Sequence, residues 1–196
     1  MPWPEPVTLR GRYATLEPLA PSHHDGMVDA TKDGELWKLW YTSVPSPEGM
    51  AKEIARRLDL QAKGSMLAFA VLDAAGRAAG MTTFMNIDAA SKRVEIGSTW
   101  YAKRVQRSPL NTECKLMLMT HAFEVLGCIA VEYRTSFFNQ QSRRAIERLG
   151  AKLDGILRSH QRHSDGSLRD TCVYSIIASE WPAVKTHLAF QLGRPR

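Results

Sequence analysis

The spacing of apolar and polar positions changes several times along the chain, and each change marks an element. Residues 7–17 (VTLRGRYATLE) alternate: Val7, Leu9 and Tyr13 are followed by Leu16, with Thr15 and Glu17 on the opposite side. Gly11 interrupts the run, so the pattern predicts two short strands or one bent strand. Ser22 or His23 opens a short helix that runs to about Lys32. The segment 36–43 carries Trp37, Trp40 and Tyr41 and reads as a short helix or turn. Over residues 46–63 the period is helical. Ser46 stands as N-cap, Pro47 at the first helical position and Glu48 in the first turn. Met50, Ile54, Leu58 and Gln61 keep the period, and Gly64 ends it.

Period-two and continuous apolar runs come next. Residues 66–72 and 78–87 flank Asp73-Ala74-Ala75-Gly76 and predict a hairpin. Residues 93–101 predict a third strand after a turn at 88–92. A long helix is expected over 108–126, closed by Gly127, then a strand over 129–135 and a helix over 139–149 ended by Gly150. Strands at 152–158 and 168–177 meet across a turn at Ser164-Asp165-Gly166, and a last helix covers 180–192. This order predicts one α/β (α+β) domain over residues 1–196, with a mixed sheet and helices on both faces.

Composition bounds the function. Apolar residues make up 44% and charged residues 23% of 196 residues, the balance of a globular protein. The proline-rich start, Met1-Pro2-Trp3-Pro4-Glu5-Pro6, does not have the pattern of a secretory signal, and no apolar run reaches bilayer length. Cys114, Cys128 and Cys172 are widely spaced and odd in number, which predicts buried thiols in a reducing cytoplasm rather than a disulfide framework or a zinc site. The six histidines have no metal-ligand spacing, so no metal is expected. The net charge of +6 favours anionic partners. The basic residues are dispersed and lack interleaved aromatics, so nucleic-acid binding is a minor alternative.

The most informative stretch is Tyr101–Lys115 (YAKRVQRSPLNTECK), where a strand runs through a basic loop into a helix. A helix start presents unpaired N–H groups and a positive dipole end, and so takes phosphates. Ser108 fits the N-cap and Pro109 the first helical position. The structural alternative is a basic loop and a capped helix with no ligand.

Gln106-Arg107-Ser108-Pro109-Leu110-Asn111 resembles the pyrophosphate loop, Q/R-x-x-G-x-G/A, of the GNAT superfamily of acetyltransferases. The likeness continues through Asn111–Lys115, His121–Glu124, Asn139–Ser142, Ala145–Ala151, Gly155–Arg158, Asp165-Gly166, Arg169-Asp170, Tyr174-Ser175 and Glu180-Trp181. It is similar to the branch related to ribosomal-protein N-terminal (Rim-type) acetyltransferases. The resemblance implies a single GNAT-like domain with a mixed, mostly antiparallel sheet, acetyl-CoA as co-substrate, a primary-amine acceptor on a small molecule or protein N-terminus, and possible homodimers. It places thioester-facing amides at Thr99, Trp100 and Tyr101, and cofactor contacts at Gln106, Arg107, Ser108, Leu110, Asn111, Thr112 and Asn139. It sets Ser142 near the sulfur. Segments around Trp37, Trp40 and Tyr41 and around 160–167 are expected to line the acceptor side. Pro109 and Asn111 stand where the pattern has small residues. Pro109 offers no N–H, which motivates an alternative: an acyl-CoA-binding sensor with little turnover.

Acetyl transfer needs a base for the amine, a polarised carbonyl and a protonated leaving thiolate. Glu95 is the candidate base, its alternatives being a surface carboxylate or a partner for Arg93 or Arg134. Ser142 is the candidate acid, with Tyr101 and Tyr133 as substitutes that also read as packed aromatics. Asn139 also reads as an ordinary N-cap. Cys114 has no evident base partner.

Overall fold

The computed structural model describes residues 3–163 and 165–194; Met1 and Pro2 of the expected lead-in and Ser164 of the expected turn lie outside the described residues. The chain runs β1 (Leu9–Arg10), β2 (Ala14–Pro18), α1 (His24–Lys32), α2 (Met50–Ala62), β3 (Met66–Asp73), β4 (Ala78–Asp88), β5 (Arg93–Tyr101), α3 (Leu110–Thr120), β6 (Ala130–Ser136), α4 (Gln140–Glu147), β7 (Lys152–Arg162), β8 (Leu168–Ile177) and α5 (Trp181–Gly193). The expected hairpin is β3–β4, and the bend at Gly11 separates β1 from β2, which pair antiparallel with Leu9 opposite Leu16.

Two helix starts differ from the sequence expectation for the same reason. Ser46 and Ser108 each close a turn ahead of the helix rather than cap it. Ser46 Oγ accepts from the N–H of Gly49 at 3.2 Å, and α2 begins at Met50. Ser108 Oγ donates to the carbonyl of Val105 at 2.6 Å and accepts from the N–H of Leu110 at 3.3 Å, so α3 begins at Leu110 with Pro109 at its cap. The α3 helix ends at Thr120, where a π-helical turn over His121–Val125 takes over. The β7 strand runs on to Arg162, beyond the expected end at Arg158.

The strands form one sheet in the order β1-β2-β3-β4-β5-β6-β8-β7. Every neighbouring pair is antiparallel except β5–β6. Helices cover both faces. Leu110, Cys114 and Leu118 of α3 share a core with Leu67, Phe69, Phe84, Val94 and Ile96, and Val184 and Leu188 of α5 join it. Met27 and Ala30 of α1 and Met50 and Ile54 of α2 pack with Ala68, Ala70, Met81 and Trp100 on the other face.

Two irregularities set up the site. The parallel pairing of β5 with β6 covers only Arg93–Ala130, Val94–Val131 and Glu95–Glu132. Beyond it β5 stays on β4 and β6 stays on β8, so the sheet opens between them. In addition, β5 carries one extra residue between the pairs Thr83–Gly97 and Met81–Trp100, with Ser98 at φ +46°. This bulge reverses the side-chain alternation. Ile96 and Tyr101 therefore face the same core although they are five positions apart.

Candidate active site

The opening between β5 and β6 is an open cleft of about 720 Å³. Glu95, Thr99, Trp100, Tyr101, Gln106, Arg107, Asn111, Asn139 and Ser142 all line it. Ser108, Leu110 and Thr112 do not; Leu110 and Thr112 are buried at 2% and 1% exposure, and the Ser108 hydroxyl is held in its turn. Gln106 ties the loop back to the strand, its Nε2 donating to the carbonyl of Tyr101 at 3.0 Å. Arg107 holds a left-handed φ of +59° in the loop. Asn139 caps α4, accepting from the N–H of Ser142 at 3.0 Å, and still lines the cleft.

Glu95 lies on the face opposite Val94 and Ile96, and is 4% exposed. Its Oε2 accepts from Asn86 Nδ2 at 2.6 Å and lies 3.5 Å from Arg134 Nε. Burial pushes its carboxyl above the ordinary range, against the opposing pull of Asn86 and Arg134. Gly97 leaves room for this carboxylate, since a Cβ there would stand 2.8 Å from Glu95 Oε1 and 2.6 Å from Met85 Sδ. Arg134 also donates to Glu132, which Arg93 holds from the far side.

Polar atoms without a hydrogen-bond partner among the described residues concentrate here. Trp100 Nε1, Asn111 Oδ1, Tyr133 Oη, Arg134 Nε and Arg169 Nε are buried, and all belong to residues lining the cleft. Buried polar groups are normally paired, so such a cluster fits a polar ligand that completes it. Arg107, Arg144 and Arg148 line the same cleft and suit an anionic one.

At the mouth, Tyr41 and His160 line the cleft, and Trp40 packs edge-on to His163 at 5.9 Å and against Phe138 at 5.6 Å. The two segments assigned to the acceptor side thus meet, although Trp40 itself is 58% exposed rather than core. All three cysteines are free and buried, and burial lifts the Cys114 thiol to about 12, which leaves it inert as a nucleophile at neutral pH. Among the described residues no group of His, Cys, Asp and Glu could hold a metal ion, and no helix is long and apolar enough to cross a membrane.

Sequence reasoning passed over Lys115, which lines the cleft at 6% exposure, and the buried guanidinium nitrogens of Arg134 and Arg169. A signal existed for Lys115: it sits three and four positions before Leu118 and Met119, on the apolar stripe of its own helix.

YdaF of Bacillus subtilis strain 168, provisionally named a ribosomal N-acetyltransferase, is 31% identical over 110 residues; these span 56% of this chain and 59% of that protein's length. A GCN5-related N-acetyltransferase from Brucella melitensis superposes with a TM-score of 0.86 at 35% identity, over 98% of this chain and 88% of that one. Mycobacterium smegmatis RimJ, in complex with CoA-disulfide, shares the fold with a TM-score of 0.79 at 21% identity, over 98% and 96% of the two chains. The model of the acetyltransferase (GNAT) domain matches residues 14–152, and with the splayed β5–β6 pair and the basic loop ahead of α3 already in place, the chain belongs to the GNAT acetyltransferase family.

Proposed function

We propose that the protein transfers an acetyl group from acetyl-CoA to a primary amine, borne by a protein N-terminus or a small molecule. The observation that carries this reading is the end of β5–β6 pairing at Glu95–Glu132, which opens a cleft between a buried carboxylate on one face and a basic helix start on the other. Acetyl-CoA supplies an activated acyl group as a thioester. The loop 106–111 and the first-turn amides of α3 hold its phosphates, with Arg107 adding charge. The strand edge at Thr99–Tyr101, freed from β6, offers backbone polar groups to the thioester, and Asn139 and Ser142 approach from α4.

Glu95 takes the amine proton. Its partial desolvation raises its basicity, while Asn86 and Arg134 fix its orientation. Ser142 orients the leaving sulfur. The name of the Bacillus relative, a ribosomal N-acetyltransferase, favours a ribosomal acceptor. Free buried thiols fit a reducing, cytoplasmic setting.

Acyl-CoA binding without turnover is the second reading. Pro109 has no N–H, and the Leu110 N–H is taken by Ser108 Oγ at 3.3 Å, so the helix start has fewer donors to give. Coenzyme A release measured across a panel of amines and peptide N-termini separates the two. Turnover on at least one acceptor, lowered in Glu95→Gln and Ser142→Ala, supports the transferase. Tight acetyl-CoA binding with no release on any acceptor supports the sensor.

A further inference from the structure

Lys115 projects from α3 to the side of the opening away from Glu95. Its Nζ donates to Thr99 Oγ1 of β5 at 3.0 Å and to Thr82 Oγ1 of β4 at 3.4 Å, and lies 6.0 Å from the centre of the Tyr133 ring of β6. These are neutral partners. The adjacent Glu113 is turned away and committed to the backbone of residues 12–14. The Tyr101 hydroxyl and the Cys114 thiol stay protonated because burial raises both groups. Burial also raises the Tyr133 phenol.

A buried ammonium without a counter-charge is costly. The fold does not need this one, because the two threonine hydroxyls lie 2.8 Å apart and can satisfy each other. Lys115 is five residues into α3 from Leu110, or about 7.5 Å along the axis. It therefore lies past the helix start where phosphates bind and beside the point where β5 leaves β6. In acyl transfer from a thioester, the negative charge that appears beyond the phosphates is on the carbonyl oxygen and then on the departing sulfur.

We propose that Lys115 is a catalytic residue whose ammonium group donates a hydrogen bond to the sulfur of the acetyl donor as the thiolate departs. The inference rests on reading the cleft as an acetyl-CoA site. The acceptor nitrogen bonds to the carbonyl carbon, the C–S bond breaks, and its electron pair goes to sulfur. The sulfur takes a proton from Lys115, and the nitrogen gives its own to Glu95 on the opposite face. Exchange with solvent after product release restores the ammonium and the carboxylate. Burial holds the Lys115 pKa at about 8, so at neutral pH the group is charged yet gives up its proton readily.

The test compares binding of coenzyme A and of desulfo-coenzyme A, which lacks the sulfur, to the native protein and to Lys115→Met by calorimetry. The native protein is expected to prefer coenzyme A by at least about tenfold. Lys115→Met is expected to bind desulfo-coenzyme A unchanged and to lose the preference, with kcat about 100-fold lower. Its melting temperature should equal or exceed the native value. An equal sulfur preference in both proteins overturns the inference while leaving the cofactor reading intact. A Lys115→Met protein that melts well below the native one also overturns it, by assigning the lysine to the fold. No binding of either compound to the native protein overturns the cofactor reading and the inference together.

Discussion

Glu113 on α3 fills the space that a side chain at Gly11 would need. Its carboxylate accepts the backbone N–H groups of Arg12, Tyr13 and Ala14 at 2.8, 2.6 and 2.8 Å, and thereby closes the turn between β1 and β2. A Cβ built on Gly11 would stand 2.5 Å from Glu113 Oε2. One side chain from the helix that follows the 106–111 loop thus pins the first hairpin of the sheet.

Glu113→Ala leaves three backbone donors without their acceptor and is expected to cost about 3 kcal/mol. Gly11→Ala pushes a methyl group into the carboxylate and should cost about 2 kcal/mol. The two changes share one contact, so they should not add: Gly11→Ala should cost much less in a Glu113→Ala background. Thermal melts of the four proteins check this, at roughly 2–4 °C for each kcal/mol. Additive losses would mean that the carboxylate does not fill the space over Gly11.

The contrast between Glu113 and β5 indicates what a sequence makes legible. The β5 strand is bounded by its own alternation and by the turn before it, so its limits, Arg93–Tyr101, are those the pattern predicts. Its bulge at Ser98 and its parting from β6 depend on partners distant in sequence. The α3 helix buries Thr112, Glu113 and Lys115 together with its apolar residues. Periodicity counts polar residues as solvent-facing, so it could not foresee the Glu113 carboxylate serving a turn in a distant part of the chain; it does set Lys115 on the apolar stripe of its helix, but not in the cleft that the parting of β5 from β6 opens. Gln106, Arg107 and Asn111, which the resemblance singles out, line the cleft, and the loop and helix start that carry them are local features that the sequence shows. Leu110 and Thr112 belong to the same stretch, but their side chains turn into the core, a direction that depends on where α3 packs.

The pH dependence of transfer should follow Glu95. The groups facing it are Asn86, Arg134, Glu132 and Arg169, and the net result with burial is a raised pKa. A base works only when unprotonated, so the rate should fall as pH drops through a value above the ordinary carboxylate range. Glu95→Gln should remove that acidic limb and lower kcat by about 10²–10⁴, with acetyl-CoA affinity unchanged because Glu95 faces away from α3. The stability effect has the opposite sense. A raised pKa in the folded state favours the protonated form, so the stabilising contribution is complete below the unfolded pKa and lost as pH rises through the folded one. Glu95→Gln mimics the protonated form and should melt above the native protein at neutral pH. A rate profile flat through the acidic range would rule Glu95 out as the base.

The bulge that reverses β5 is held by Arg57 of α2. This side chain is 1% exposed; its Nε donates to Glu53 Oε1 at 2.7 Å, and its Nη2 donates to the carbonyl of Ser98 at 3.1 Å. Ser98 sits at φ +46°, a strained conformation for a residue with a side chain, and a fixed acceptor contact helps to hold it there. The residues after it, Thr99–Tyr101, border the cleft. Arg57→Met keeps most of the apolar stem and removes the fork, while Glu53 retains its contacts with Arg56 at 2.8 Å. The expected result is a moderate loss of stability, about 1–2 kcal/mol. The loss of transfer rate should be at least about tenfold, equivalent to ~1.4 kcal/mol of misplacement at the strand edge. Arg57→Lys should not rescue the rate, since a single ammonium cannot bridge Glu53 and the Ser98 carbonyl in the same fixed geometry. Steady-state kinetics and melts on both variants decide the point. Full activity in either would show that the bulge holds its shape without the arginine.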